Sequence, residues 1–130
     1  MAHKDALISL AEEVSHKAYC PYSRFPVGCA IESHERNIFV GCNVENAVYG
    51  LTICAERNAV FKMVASGDKT IRSVVIYTPA SKLTPPCGAC RQVLYEFGNA
   101  DTEIIITNGQ EEAYYLLGYL LPFAFTKNNL

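Results

Sequence analysis

The sequence predicts an α/β fold of three layers, α/β/α, around a mixed central sheet of about five strands. Three observations predict it. Helical and strand-like patterns alternate along the chain. Val74-Val75-Ile76-Tyr77 and Ile104-Ile105-Ile106 are continuous apolar runs, suited to strands buried on both faces. The chain has 130 residues, half of them apolar, enough for one domain over 1–130 whose core needs no disulfide staples.

In residues 3–18, Ala6, Leu7, Leu10, Ala11, Val14 and Ala18 fall at helical spacing and give a first helix. Pro21 and Pro26 then break it. Residues 27–33 and 37–42 read as two strands joined by a hairpin turn. Residues 43–53 are polar and loop-like. Residues 54–66 form a second helix, with Ala55, Ala59, Val60, Met63 and Val64 on one stripe and Gly67 closing it. Residues 71–78 are a strand, 79–86 a loop, and 87–97 a third helix ending at Gly98. Residues 103–107 are another strand, and the aromatic tail, 111–125, divides between a short strand and a helical turn. Such alternation implies a sheet covered on both faces and parallel in part. Active sites of such sheets lie where loops feed helix N-termini beyond the strand ends.

With 11 basic and 13 acidic side chains the net charge is −2, which argues against a nucleic-acid partner. No run of 18 apolar residues offers a membrane span. Lys4, Asp5, Glu12, Glu13 and Lys17 interrupt the N-terminal stretch, so it does not read as a secretory leader. The expectation is a soluble, cytoplasmic protein.

In that setting six cysteines point to metal or catalytic use before disulfides. Cys20, Cys29 and Cys42 stand singly among apolar or turn residues and read as small packing residues. Cys54, Cys87 and Cys90 are different. Cys87 and Cys90, at i and i+3 on a helix start, face one side, and helix N-termini favour the thiolate that metal ligation requires. A closed structural zinc site needs four protein ligands, but only these three are found; His3, His16 and His34 read as surface residues. Three ligands leave a position for water, the arrangement of a catalytic zinc. Glu56 supplies a proton carrier. Side chains at i and i+2 of a helix point apart, so Cys54 must sit at the non-helical start for both to reach one metal. Alone, Glu56 would read as a first-turn carboxylate on the helix dipole. Cys-x-Glu followed by Pro-Cys-x-x-Cys, both on helix starts, is instead the pattern of a zinc deaminase.

Several blocks extend that likeness: Tyr22-Ser23-Arg24-Phe25-Pro26-Val27-Gly28, Asn43-Val44-Glu45-Asn46-Ala47, Tyr49-Gly50-Leu51-Thr52, Cys54-Ala55-Glu56-Arg57, Pro86-Cys87-Gly88-Ala89-Cys90-Arg91-Gln92 and Leu120-Leu121-Pro122. In order and spread, they resemble the small, homotetrameric class of cytidine deaminases over nearly the whole chain. The resemblance implies a cytidine deaminase-like fold, one Zn2+ per chain on Cys54, Cys87 and Cys90, and hydrolytic deamination of cytidine and deoxycytidine. A water activated at the metal would add to C4 while Glu56 shuttles protons.

The resemblance also gives Arg57 hydrogen bonds to the ligating sulfurs, Asn43 and Glu45 the ribose hydroxyls, and Phe25 the face of the pyrimidine. Residues i and i+2 of an extended segment share a face, so Asn43 and Glu45 can reach one sugar. The backbone N–H groups of Cys54 and Ala55 would be donors at the reacting centre and the base carbonyl. The implied assembly is a homotetramer with shared sites, in which Phe125 reaches a neighbour's pyrimidine while Ala47 and Tyr49 line the sugar end across an interface. Nine apolar or aromatic residues among the twelve positions 114–125 are consistent with such an interface. Cys29 departs from the family's usual alanine and reads as a packing substitution. The rival readings are a deaminase of a related nucleoside such as a nucleoside antibiotic, a non-catalytic domain stapled by zinc, and a thiol oxidoreductase using Cys87 and Cys90. The last leaves Cys54, Glu56, Asn43 and Glu45 without a role.

Overall fold

The computed structural model describes Met1 and residues 3–130. Its elements are α1 (Lys4–Ser15), β1 (Gly28–Ser33), β2 (Ile38–Cys42), α2 (Ala55–Ser66), β3 (Ile71–Tyr77), α3 (Gly88–Phe97), β4 (Glu103–Thr107), β5 (Glu112–Leu116) and the single turn α4 (Leu117–Leu120). The five strands form one sheet in the order β2-β1-β3-β4-β5. Only β3 and β4 run parallel, with Val74 beside Ile104 and Ile76 beside Ile106; the other pairs are antiparallel. The expected mixed, five-stranded sheet is the one observed.

The continuous apolar runs divide between two cores because alternate residues point to opposite faces. Ala30, Val75, Tyr77 and Ile105 pack with Leu7 and Ala11 of α1. Cys29, Ile31, Val74, Ile76, Ile104 and Ile106 pack with Ala59, Val60 and Met63 of α2 and Leu94 of α3. Three layers result, and β3 and β4 carry no polar face because neither side meets water.

Two stretches differ from the sequence reading, while the tail holds the short strand and helical turn that the sequence predicts. The first helix stops at Ser15 instead of 18: the Ser15 hydroxyl donates to the Glu12 carbonyl at 2.6 Å, and the N–H groups of His16, Lys17 and Ala18 take carbonyls three residues back. This tightening ends the regular α-helix. Segment 43–53 is more ordered than a loop. Val44 bridges both Tyr19 and Ile53, and Tyr49–Leu51 forms a 3-10 turn. The tail gives the short strand β5 and the turn α4, then a further 3-10 turn, Lys127–Asn129, capped by Thr126.

Two glycines set the distance between layers. A Cβ at Gly28 would overlap the Ala11 carbonyl of α1. One at Gly41 would lie 2.5 Å from the Ala59 nitrogen and 2.6 Å from the Ala55 oxygen. Those atoms belong to the backbone of α2, so no rotamer change relieves the clash, and α2 rests directly on β2. The start of α2 is thereby fixed over the sheet. Gly41→Ala should push the helix outward and cost about 1–3 kcal/mol, as overpacking does. Denaturant unfolding of the purified variant measures this; an unchanged midpoint would mean that α2 has room to move.

Candidate active site

The start of α2 brings two functional side chains to one place. Cys54 is its N-cap, in extended conformation (φ −72°, ψ 157°), and the helix proper begins at Ala55. The break in geometry lets the Cys54 thiol and the Glu56 carboxyl converge, as the spacing of Cys-x-Glu requires. Cys87 caps α3 in the same extended manner (φ −66°, ψ 166°), and Cys90 lies in its first turn. The sulfurs of Cys54, Cys87 and Cys90 all lie within 4.8 Å of one another. Among the described residues, they are the one group of three or more His, Cys, Asp or Glu able to hold a metal ion. No fourth side chain closes the site, which a purely structural zinc would require.

The electrostatics suit a cation. The Cys54 thiol is held below its ordinary range by hydrogen bonding from Cys90 and by the Arg57 guanidinium, whose Nη2 donates to the Cys54 sulfur at 3.6 Å. Cys90 is pushed up, first by that same sharing of a proton with Cys54 and then by burial. The same Arg57 nitrogen reaches the Thr52 carbonyl at 3.3 Å, which fixes the guanidinium beside the cluster. Tetrahedral zinc with Zn–S bonds of ~2.3 Å places its sulfurs ~3.8 Å apart. Three thiols gathered this closely, one already inclined to ionise, fit that ion. Glu56 is 5% exposed, and burial pushes its carboxyl up to about 7.

Cys54, Glu56 and Cys87 line a cavity of about 360 Å³, within the size range of small-molecule sites, while Cys90 lies buried behind them. Its walls include Phe25, Asn43, Glu45, Cys54, Ala55, Glu56 and Cys87. The Asn43 side chain accepts from the Val27 N–H and donates to the Phe25 carbonyl, both at 2.9 Å. It therefore ties segment 25–27 to the end of β2. The Glu45 carboxylate accepts from the N–H groups of Tyr22 and Ser23 and from the Ser23 hydroxyl. The hydroxyl bond, first among the causes, holds this carboxyl below its usual value.

The remaining sequence-predicted residues lie elsewhere. Tyr49 lines an adjoining groove with Tyr22, Ser23, Glu45 and Thr52, its ring edge-on to Tyr22 at 6.1 Å. Ala47 is exposed nearby. Phe125 is 59% exposed and lines a separate cleft with Tyr95 and Gly98, so it does not enter the cavity of its own chain. Sequence reasoning did not single out Ser23, Val27, Thr52, Ile76, Thr78, Thr84 and Pro85, which complete the wall. For the last four the signal was position: Ile76 and Thr78 lie at the C-terminal end of β3, and Thr84 and Pro85 shortly precede Cys87, at the strand end where such sheets place ligands.

Three comparisons agree with this geometry. Residues 1–107 match the family described as the cytidine and deoxycytidylate deaminase zinc-binding region. The chain is 39% identical over 127 residues to the cytidine deaminase of Sporosarcina psychrophila, covering 97% of this chain and 93% of that one. It is 40% identical over 128 residues to the cytidine deaminase of Halalkalibacterium halodurans, covering 98% and 97%. The crystal structure of cytidine deaminase from Burkholderia pseudomallei superimposes with a TM-score of 0.90 at 43% identity, covering 96% of this chain and all of that one. The extended Cys54 and Cys87 caps, the clustered sulfurs and the buried glutamate are thus features of a chain that belongs to the zinc-binding cytidine and deoxycytidylate deaminase family.

Proposed function

We propose that this protein hydrolyses cytidine and deoxycytidine to uridine and deoxyuridine with release of ammonia. The observation that carries the reading is one cavity lined by buried Glu56, by Cys54 and Cys87 of the three-sulfur cluster, and by Phe25, Asn43 and Glu45. Cys54, Cys87 and Cys90 would hold zinc, with Arg57 donating to the Cys54 sulfur. When bound, zinc supplies Lewis acidity that makes water a nucleophile at neutral pH.

The chain's own groups do the rest. Glu56 takes a proton from the attacking water and passes it to N3 of the pyrimidine. It then carries the second proton to the amine as the C4–N bond breaks. Water and cytidine are consumed, uridine and ammonia are formed, and Glu56 is regenerated. The Cys54 and Ala55 amides, at the positive end of α2, are donors for the reacting centre and the base carbonyl. Phe25 packs on the pyrimidine, and Glu45 accepts a sugar hydroxyl. Asn43 acts on the sugar with the capacity its backbone bonds leave free.

We infer a homotetramer from the family resemblance together with the surface of the tail. Tyr114, Tyr119, Phe123 and Phe125 are 54% to 104% exposed, an apolar surface beyond what an isolated small chain shows to water. In that assembly Phe125 reaches a neighbour's cavity, and Ala47 and Tyr49 line the sugar end across an interface. No helix among the described residues is long and apolar enough to cross a membrane. We propose that the reaction belongs to pyrimidine salvage in the cytoplasm, a role in keeping with a free nucleoside substrate.

Glu56→Gln should keep one zinc per chain while kcat falls by at least the ~10²–10⁴ that general acid–base catalysis contributes. Metal analysis with ultraviolet monitoring of cytidine tests this, and near-normal turnover of a zinc-replete variant would refute the mechanism. Glu45→Ala should lower kcat/KM strongly for cytidine and hardly at all for free cytosine, because remote binding energy is lost with the sugar. Equal losses on both would assign Glu45 to the fold. Phe125→Ala should raise KM with zinc retained. Reassociation with Glu56→Gln subunits should return sites of native-like KM; a mixture without such sites would place Phe125 within its own chain.

A further inference from the structure

Ser23 lines the cavity, and its hydroxyl both donates and accepts within the 22–25 segment and Glu45. It donates its one proton to Glu45 Oε2 and accepts the Phe25 N–H at 3.0 Å. Glu45 Oε1 accepts from the Tyr22 N–H at 3.0 Å and the Ser23 N–H at 3.1 Å. Two consecutive amides converging on one anion form a nest, here filled by the chain's own carboxylate. The next residue, Arg24, has a left-handed backbone (φ 54°) that residues other than glycine adopt rarely; its N–H donates to the Cys20 carbonyl at 2.9 Å. Such a turn persists only where its surroundings over-determine it.

Counting acceptor positions gives the consequence. A carboxylate has about four lone-pair positions. Three of those on Glu45 are filled by the 22–23 turn, two through Oε1 and one through Oε2, so one remains for a ligand. Which one remains depends on the rotation of the carboxylate, and the Ser23 proton fixes that rotation. Through its lone pair, the same hydroxyl also fixes the amide of Phe25, and with it the backbone that carries the ring.

We propose that Ser23 is a positioning residue for substrate: one hydroxyl sets both the Glu45 carboxylate that accepts the sugar and the Phe25 backbone that presents the base-packing ring. The two ends of the pocket then keep one spacing. This rests on the deaminase reading of the site. Ser23 belongs to neither the thiol cluster nor the start of α2, so its loss acts on binding and not on the chemical step.

The test uses full-length, zinc-loaded protein. Turnover of cytidine by the wild-type chain, absent in Glu56→Gln, establishes the deaminase reading; its failure would be seen there, before any Ser23 variant is compared. Given that turnover, Ser23→Ala should raise KM about tenfold with kcat within about twofold, as loss of a hydrogen bond to a charged group predicts. Ser23→Thr restores the hydroxyl and should recover most of the affinity. On a Glu45→Ala background, Ser23→Ala should lower kcat/KM by clearly less than the roughly tenfold seen in the wild-type background, because the carboxylate it orients is gone and only its bond to the Phe25 amide is left to lose. A wild-type KM in Ser23→Ala overturns the proposal, as does equal impairment of the Thr variant. So does a full additional loss on the Glu45→Ala background, or a Ser23→Ala protein that is unfolded, zinc-poor or impaired in kcat alone.

Discussion

Three sulfurs within 4.8 Å of one another cannot all carry charge unless a cation sits among them. At such separations two thiolates repel by roughly 3–4 kcal/mol at an effective dielectric of about 20, and three make three such pairs. The structure offsets this in several ways. Cys54 and Cys87 cap the starts of α2 and α3, and Arg57 lies at the Cys54 sulfur. None of these supplies two full charges at the centre of the cluster, which a divalent ion does. Placement of the helix starts therefore decides whether the centre can exist. For α2 that placement descends from Gly41, where the helix backbone rests on β2 without an intervening side chain.

The wall of the cavity is built on a second economy. Asn43 and Glu45 sit on one face of a short extended segment pinned by the Val44 bridges to Tyr19 and Ile53. Asn43 gives half of its hydrogen-bonding capacity, and Glu45 three of about four acceptor positions, to segment 22–27. The residues proposed to face the sugar are thus the same residues that fold the loop carrying Phe25. A pocket made this way is preorganised, since its polar groups are oriented before a ligand arrives. Substitutions here act on the loop and on the ligand together, which is why comparison of nucleoside with free base separates the two.

Much of this was legible in the sequence, for reasons that differ by residue. The central strands were visible because Val74 to Tyr77 and Ile104 to Ile106 leave no polar face, and only burial on both sides accounts for that. The convergence of Cys54 with Glu56 was legible because i and i+2 on a helix diverge, so a shared target forces Cys54 off the helix. Other features have no local signature. That α1 ends at Ser15 depends on a hydroxyl closing onto the Glu12 carbonyl, a choice that the apolar periodicity through Ala18 does not encode. Ile76 and Thr78 face the cavity because of where β3 stops, and Thr84 and Pro85 because of how their loop returns to α3. Composition says nothing of either. Phe125 lies in a cleft away from its own chain's cavity, and a role at a neighbour's site is a property of an assembly, not of one chain's pattern.

The two glutamates of the cavity show how one fold gives the same side chain opposite tasks. Glu56 is buried at the start of α2, and desolvation raises its carboxyl to about 7, where gaining and losing a proton are both accessible at neutral pH. Glu45 lies at the partly open rim, where a serine hydroxyl and two amides favour its charged form and lower its pKa. Environments that push two carboxyl groups apart separate proton transfer from binding. The division also explains the positions of the two groups in the chain. A proton carrier must sit beside the reacting atoms, so it shares a helix start with a metal ligand. A permanently charged acceptor needs donors around it, so it sits opposite a turn whose amides have no helix or sheet to satisfy them. The 22–23 turn supplies those donors, and the carboxylate in return satisfies amides that would otherwise need water. In the proposed reaction, sugar binding and loop folding are therefore one interaction with two functions, and the thiol cluster is left to the chemistry alone.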